Sequence, residues 1–422
     1  MNYLLFAVYL IVLCWLLLRV PFIKNAGINS KVLLGLFLFK IIAGIAIGWI
    51  AIHIYGPGND YWDVNDEAWK EYQLLITNPG KYFINIFTSD YDGGYAGIFS
   101  SFDSYWNDLK GNIVIKLVSI FDIFSRGDYY INSLFFNSLI FFGHIALYRL
   151  FIQIYPGKQI LVIIGCFLLP STIYFSSGIH KDGLVFLMLA ILIYTVYQSL
   201  IKNRFTVKRV LLICFSLFLL FLIRHFIFLA LIPALFAWIV VNKTNWPALW
   251  TFATVYLITG LLFFNINSIA GNINPLDIII QKQTAYLNLP SSDTEIKLTP
   301  LQPTFKSFAG NAPESYNHLL MRPYLWELPV KSLWPLNLEL FAYQVLFLFF
   351  IFFRKKGTEN TKISFTHFAI FFTLTIFLLI GYIVPNLGSI IRYRSLYLPL
   401  IITPFLCQLN WNRLTELIKI KK

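Results

Sequence analysis

Apolar residues in this chain come in long unbroken runs rather than in alternating or one-faced patterns. A bilayer-crossing helix needs roughly 20 predominantly apolar residues. Runs of that order occupy 2–19, 32–54, 129–153, 158–176, 182–201, 209–223, 225–242, 247–265, 337–354, 364–384 and 395–410. The pattern predicts an all-α polytopic membrane protein with about 11 transmembrane helices. The sixth and seventh runs are short and meet at Arg224-His225, as in a tight hairpin. The first run has no basic flank before it, and Cys14-Trp15-Leu16 is no small-residue cleavage site. It reads as a retained span rather than a signal peptide.

Two segments between runs, 55–128 and 266–336, are too long to be connectors. Their polar, aromatic and Pro-rich sequence marks them as functional loops of one membrane domain, 1–422. Within the first, 65–77 and 112–125 are amphipathic but too short to span. Both suit helices lying in the interface plane.

Composition agrees with the runs. Of 422 residues, 58% are hydrophobic and 13% charged, where a soluble domain is about 25% charged. Disorder, collagen, coiled coil and a disulfide scaffold are excluded. Cys14, Cys166, Cys214 and Cys407 sit in apolar runs without metal-ligand spacing and read as small core residues.

The net charge of +13 reflects topology rather than nucleic-acid binding, because basic residues gather in cytoplasmic loops. Arg19, Lys24 and Lys31; Arg149 and Lys158; Lys202, Arg204, Lys208 and Arg209; Lys243; Arg354, Lys355, Lys356 and Lys362; and Arg413 to Lys422 alternate as that rule requires. The N-terminus is then outside and the C-terminus cytoplasmic, and both long loops face outward.

Three constellations carry chemistry. The first is Asp60, Asp63, Asp66 and Glu67, just beyond the second span. Carboxylates crowded at a membrane surface suit general-base work, substrate binding or a divalent cation. The plain alternative is a helix start, with Asp63 or Asn65 as N-cap and Asp66-Glu67 in the first turn.

The second is Ser176-Ser177-Gly178-Ile179-His180-Lys181-Asp182 between two spans. Lys181 suits a phosphate, and Asp182 a helix cap or a partner for Lys181. Third are the arginines at outer span ends, Arg224, Arg322, Arg392 and Arg394, which run against the positive-inside bias. Converging, they would make a lipid-phosphate pocket. Singly, they would pair with acids such as Glu327 or Glu339. Lys40 lies mid-span and is expected to face the bundle interior, and His53 and His144 read as packed histidines. No nucleotide-binding or dinucleotide motif occurs.

A span ending outside is followed by Asp66-Glu67-Ala68-Trp69 and a long loop. Then come Lys110-Gly111-Asn112-Ile113-Val114-Ile115-Lys116 and Phe124-Ser125-Arg126-Gly127-Asp128. This order resembles the GT-C superfamily of polytopic glycosyltransferases, especially the protein O-mannosyltransferase and aminoarabinose-transferase type. The resemblance covers about 32–200 and returns near Arg392-Tyr393-Arg394. It implies catalytic carboxylates at Asp66 and Glu67, with Asp63 beside them. It also implies a donor lipid-phosphate site including Lys110, to which the chemistry of the residues themselves adds His180, Lys181, Arg224, Arg322, Arg392 and Arg394 as further candidates. Asp60, Asp182 and Glu327 are substrate-binding candidates.

The chain departs from the family pattern in three ways. Pro-Pro does not follow Lys110, Lys181 stands where the family has Thr, and one extra span precedes the usual first. The expected activity is transfer from a polyprenyl-phosphate sugar to a glycan, lipid or protein acceptor at the outer face of a bacterial inner membrane. The alternatives are a polymerase or ligase using a lipid-diphosphate oligosaccharide, driven more by arginines than by a carboxylate, and a lipid or solute transporter.

Overall fold

The structure is a computed structural model, describing residues 2–87, 105–244, 246–269, 274–290, 294–324, 326–327, 334–354 and 360–413. The expected basic positions Lys355 and Lys356, and the tail beyond Arg413, lie outside the described residues, as do Glu359 and 88–104 of the first long loop.

The described chain is helical apart from turns and the isolated bridges Glu295–Asn386 and Arg354–Leu409. Among the described residues, seven helices are long and apolar enough to cross a bilayer: Ser30–Tyr55, Tyr129–Ile154, Lys181–Ile201, Val207–Thr244, Ala248–Ser268, Trp334–Phe353 and Ile363–Ile383. Two bent pairs raise the number to nine if each is one span: Gln159–Phe167 with Pro170–Ser177 (46°), and Leu387–Ser395 with Leu398–Gln408 (62°). The first break falls just before Pro170, whose ring disfavours helix in the residue ahead of it. In the second, Pro399 sits in the first turn of the new helix, where its missing N–H costs nothing. The protein is an all-α, multi-pass membrane protein.

The count of 11 includes Tyr3–Arg19, which has 17 residues, and divides Val207–Thr244 in two. That division has a structural basis, since Arg224 leaves the helical region (φ −147°, ψ 78°).

The chain forms two compact units. The first lies within Met1–Leu150, Cys166–Leu168 and Thr172–His225, the second within Phe151–Gly165, Leu169–Ser171 and Phe226–Lys422. In the first, Gly44 and Gly48 lie one turn apart on the Ser30–Ile50 helix, against Asn137 and Tyr129. A Cβ at either glycine would collide with those side chains. Small residues at this spacing let membrane helices approach closely where lipid gives no hydrophobic drive.

Lys40 is buried as expected, donating to Ser176 Oγ (2.7 Å) and Ser177 Oγ (2.8 Å). His144 is buried with Nδ1 on Cys166 O (2.6 Å). His53 is a correction: it is exposed, bonded to Trp49 O and stacked on the Trp49 ring. Cys214, read as a core residue, is also exposed.

Both amphipathic patterns are helices, longer than their sequence bounds: Asp60–Thr77 and Tyr105–Ser125. They pack on one another, and the second also packs on Lys181–Ile201. A buried polar knot joins them to the next span. Asp122 accepts from Asn132 Nδ2 (2.6 Å), Ser125 Oγ (2.9 Å) and the Gly127 amide (3.1 Å), and Asn132 also donates to Asn65 (2.9 Å). Burial pushes the Asp122 carboxyl up, and these hydrogen bonds pull it back. The turn they hold has Arg126 and Gly127 at positive φ (55° and 81°), and Gly127 lies against the Trp69 ring.

In the second unit, Phe305–Leu320 lies on Asn360–Ile383 at Gly381, where a Cβ would strike the Ser315 backbone. Leu276, Ile279, Leu301, Phe308 and Tyr382 form a core beneath them. The buried Gln283 amide satisfies three backbone groups: it donates to Thr299 O (3.2 Å) and Tyr382 O (2.8 Å) and accepts from Leu301 N–H (2.8 Å). This pins the 294–304 segment against the last spans.

Candidate functional site

The most developed polar site of the first unit forms where Pro170–Ser177 ends and Lys181–Ile201 begins. Gly178 lies against the Tyr61 ring, where no larger residue fits. That close approach brings the first turn of Asp60–Thr77 to His180, and the Tyr61 and His180 rings meet edge-on at 6.0 Å.

His180 is the N-cap of the following helix, with Nδ1 accepting the Asp182 N–H at 3.3 Å. That bond places the proton of the neutral ring on Nε2, which lies 3.7 Å from Asp60 Oδ2. When the ring is protonated, Nδ1 instead donates to Asp182 Oδ2, 3.2 Å away. Asp60 is 63% exposed and His180 only 6%, so a ligand can reach the carboxylate while the imidazole stays fixed.

Asp182 is 1% exposed and pairs with the buried guanidinium of Arg224. The pair spans two helices and uses the non-helical conformation of Arg224. Lys110, in the second turn of Tyr105–Ser125, completes the group. Burial, then the nearby charges of Lys181 and Arg224, push its pKa down to about 8. Four of the expected phosphate-site residues, Lys110, His180, Lys181 and Arg224, therefore come together with Asp60 and Asp182.

The expected catalytic acids lie elsewhere on their helix. Asn59 caps it, accepting from Tyr61 N–H and Trp62 N–H (both 3.2 Å), which corrects the expected cap at Asp63 or Asn65. Asp60 is the first helical position, and Asn65 is buried. Asp63, Asp66 and Glu67 are exposed, and Glu67 bonds Lys70 at 2.5 Å. Asp182, expected as a cap or as the partner of Lys181, is the partner of Arg224.

The remaining arginines belong to the second unit. Arg394 is buried and donates to Leu319 O (2.7 Å) and Arg322 O (2.9 Å), so it holds backbone. Arg322 pairs with Glu327 at 2.6 Å. Arg392 is half-buried on Leu387–Ser395. Glu339 accepts from the Ser171 N–H (2.9 Å), the Ser171 hydroxyl (3.1 Å) and the Tyr343 hydroxyl, rather than from an arginine.

Arg322 and Glu327 line a cavity of about 630 Å³ with Glu295, Lys297, Glu314 and His318. Sequence reasoning missed this cavity, because its walls come from three separated segments. Among the described residues, no group of three or more His, Cys, Asp or Glu side chains is arranged to hold a metal ion.

No protein-family model, curated protein or solved structure matches this chain. The site has to be interpreted from its own chemistry.

Proposed function

We propose that this protein is a GT-C-like glycosyltransferase that takes a sugar from a polyprenyl-phosphate donor at the outer face of a bacterial inner membrane. The observation that carries this reading is the convergence of Lys110, Lys181 and Arg224 beside an accessible carboxylate, Asp60. A partly buried cation cluster of this kind suits a lipid-linked phosphate leaving group, whose charge it stabilises as the glycosidic bond breaks.

In the reaction, the acceptor hydroxyl oxygen forms a bond to the anomeric carbon while the bond from that carbon to the phosphate oxygen breaks. The hydroxyl proton passes to Asp60, and the polyprenyl phosphate departs with the bond's electron pair. Nε2–H of His180 faces Asp60 and orients it, and Asp182 fixes the ring behind it. The 3.7 Å separation leaves this contact to tighten in the reactive complex, as catalytic hydrogen bonds often do. An outward site also fits the absence of a nucleotide-binding motif, since the donor's lipid takes the place of a nucleotide.

The polymerase or ligase reading keeps one specific support. Asp66 and Glu67, the carboxylates the family pattern points to, are exposed, as is Asp63 beside them. The decisive experiment supplies purified protein with synthetic polyprenyl-monophosphate sugars and lipid-diphosphate oligosaccharides. Release of polyprenyl phosphate that is lost in Lys110→Met and Lys181→Met supports the proposal. Consumption of the diphosphate donors alone establishes the polymerase or ligase instead.

A further inference from the structure

The cavity of the second unit has a composition unlike the cation cluster. Its wall at 294–297 is held by the Ile296 N–H on Pro385 O (2.8 Å) and the Leu387 N–H on Thr294 O (2.9 Å). Its other wall is the last turns of Phe305–Leu320 with Arg322, Tyr324 and Glu327. At about 630 Å³ it falls within the ~300–1,000 Å³ range of small-molecule sites.

Its charges nearly cancel. Glu295, Glu314 and Glu327 face Lys297 and Arg322. Burial, then the charge of Arg322, lower the pKa of His318 below its ordinary value, so the ring is neutral at pH 7. Arg322 is already paired with Glu327, and Glu314 accepts the Thr299 N–H (3.2 Å). A strongly charged ligand of either sign would meet repulsion from one half of this lining. The Nδ1 of His318, a residue only 3% exposed, and the Nε of Arg322 have no hydrogen-bond partner among the described residues. Buried polar atoms of this kind cost free energy unless something satisfies them.

An aromatic face adjoins the lining. Tyr324 lines the cavity, and its ring stacks on Trp326 (centroids 4.9 Å, 12° between planes), whose side chain is 80% exposed. Carboxylates that accept, a guanidinium that donates and a flat ring for C–H groups form the recognition set for a polyhydroxylated ring.

We propose that this cavity is a saccharide-binding site that takes a neutral glycan, with Glu314 and Glu327 accepting from its hydroxyls and Trp326 flanking a sugar face. As an acceptor site it rests on the transferase reading above. As a binding site it stands without that reading.

The test titrates full-length protein in lipid nanodiscs, without any donor lipid, with maltotriose, mannotriose and triacetylchitotriose. Saturation-transfer NMR and tryptophan fluorescence follow binding. The expected result is saturable binding of at least one trisaccharide, weakened ~10-fold or more in Glu314→Ala and in Trp326→Ala. Glu314 is only half-buried and Trp326 exposed, so both variants should fold, and their melting temperatures check this. Failure of all three sugars to bind overturns the proposal, as does binding undiminished in both variants. Because no donor is present, either failure leaves the phosphate-transfer reading standing, and a failed transfer assay leaves this one standing.

Discussion

His180 and Asp60 meet from different helices, with Nε2 3.7 Å from Oδ2, and the contact exists because Gly178 makes room for Tyr61. Three local facts converge there. Asn59 starts a helix, a glycine lacks a Cβ, and a histidine caps the next span with its other nitrogen. The result is an exposed carboxylate held beside a buried imidazole. Behind that imidazole, Asp182 and Arg224 form a buried ion pair.

Asp60→Asn should lower sugar transfer by ~10²–10⁴-fold, the usual contribution of a general base. It should leave the melting temperature nearly unchanged, because the side chain is exposed and Asn59 supplies the cap. Asp63→Asn and Asp66→Asn should retain most activity. Steady-state kinetics on the three variants decides the matter. A dead Asp66→Asn beside an active Asp60→Asn would restore the assignment that the family resemblance implies.

Lys110 gives the site a pH signature. With its pKa pushed down to about 8, it is mostly charged at pH 7 and loses that charge as pH rises toward 9. Donor binding should therefore weaken over this interval, seen as a rising KM for the polyprenyl-phosphate sugar. Lys110→Arg keeps its charge throughout and should flatten the profile. A profile unchanged between wild type and Lys110→Arg would remove Lys110 from the phosphate site.

Much of this was legible in the sequence, for identifiable reasons. Long apolar runs report directly on bilayer thickness, so the seven spanning-length helices begin and end close to their runs. Even the break at Arg224 showed as an interruption between two short runs. The grouping of Lys110, His180, Lys181 and Arg224 was legible in part: outer arginines run against the positive-inside bias and drew attention, but that signal joined Arg224 to Arg322, Arg392 and Arg394, which belong to the second unit. The choice among the acids was not, because four carboxylates in eight positions look alike in one dimension. Asp60 is set apart by its place at the helix start, where Tyr61 packs on Gly178 and brings it to His180, whereas Glu67 lies two turns further along and bonds Lys70. The pairing of Asp182 with Arg224, and the cavity around His318, depend on contacts between distant segments that no local pattern records.

Asp182→Asn should be a stability variant as much as an activity variant. It leaves the buried Arg224 without its charged partner, and breaking one side of such a pair typically costs ~3–5 kcal/mol. Thermal unfolding in detergent should show a clear drop. The double variant Asp182→Asn with Arg224→Gln should recover part of it, since two neutral amides can bond one another. A double variant no more stable than Asp182→Asn alone would show that the pair is not the source of the loss.

The orientation of the chain is open to direct test with exposed, described positions. Thr77 and Gln281 lie in the two long loops, and Asn203 lies between Lys181–Ile201 and Val207–Thr244, beside Lys202 and Arg204. Basic residues accumulate on the cytoplasmic side because they resist translocation, so the Asn203 turn should be inside and both long loops outside. In a background where Cys214, the exposed native cysteine, is replaced by Ser, a membrane-impermeant maleimide added to intact cells should modify Thr77→Cys and Gln281→Cys. Asn203→Cys should react only after permeabilisation. The outward donor site needs this arrangement, since Asp60 begins the same helix that ends at Thr77. Labelling of Asn203→Cys from outside, with Thr77→Cys silent until the cells are opened, would turn the site to the cytoplasm. A lipid-phosphate donor would then have no advantage over a nucleotide sugar.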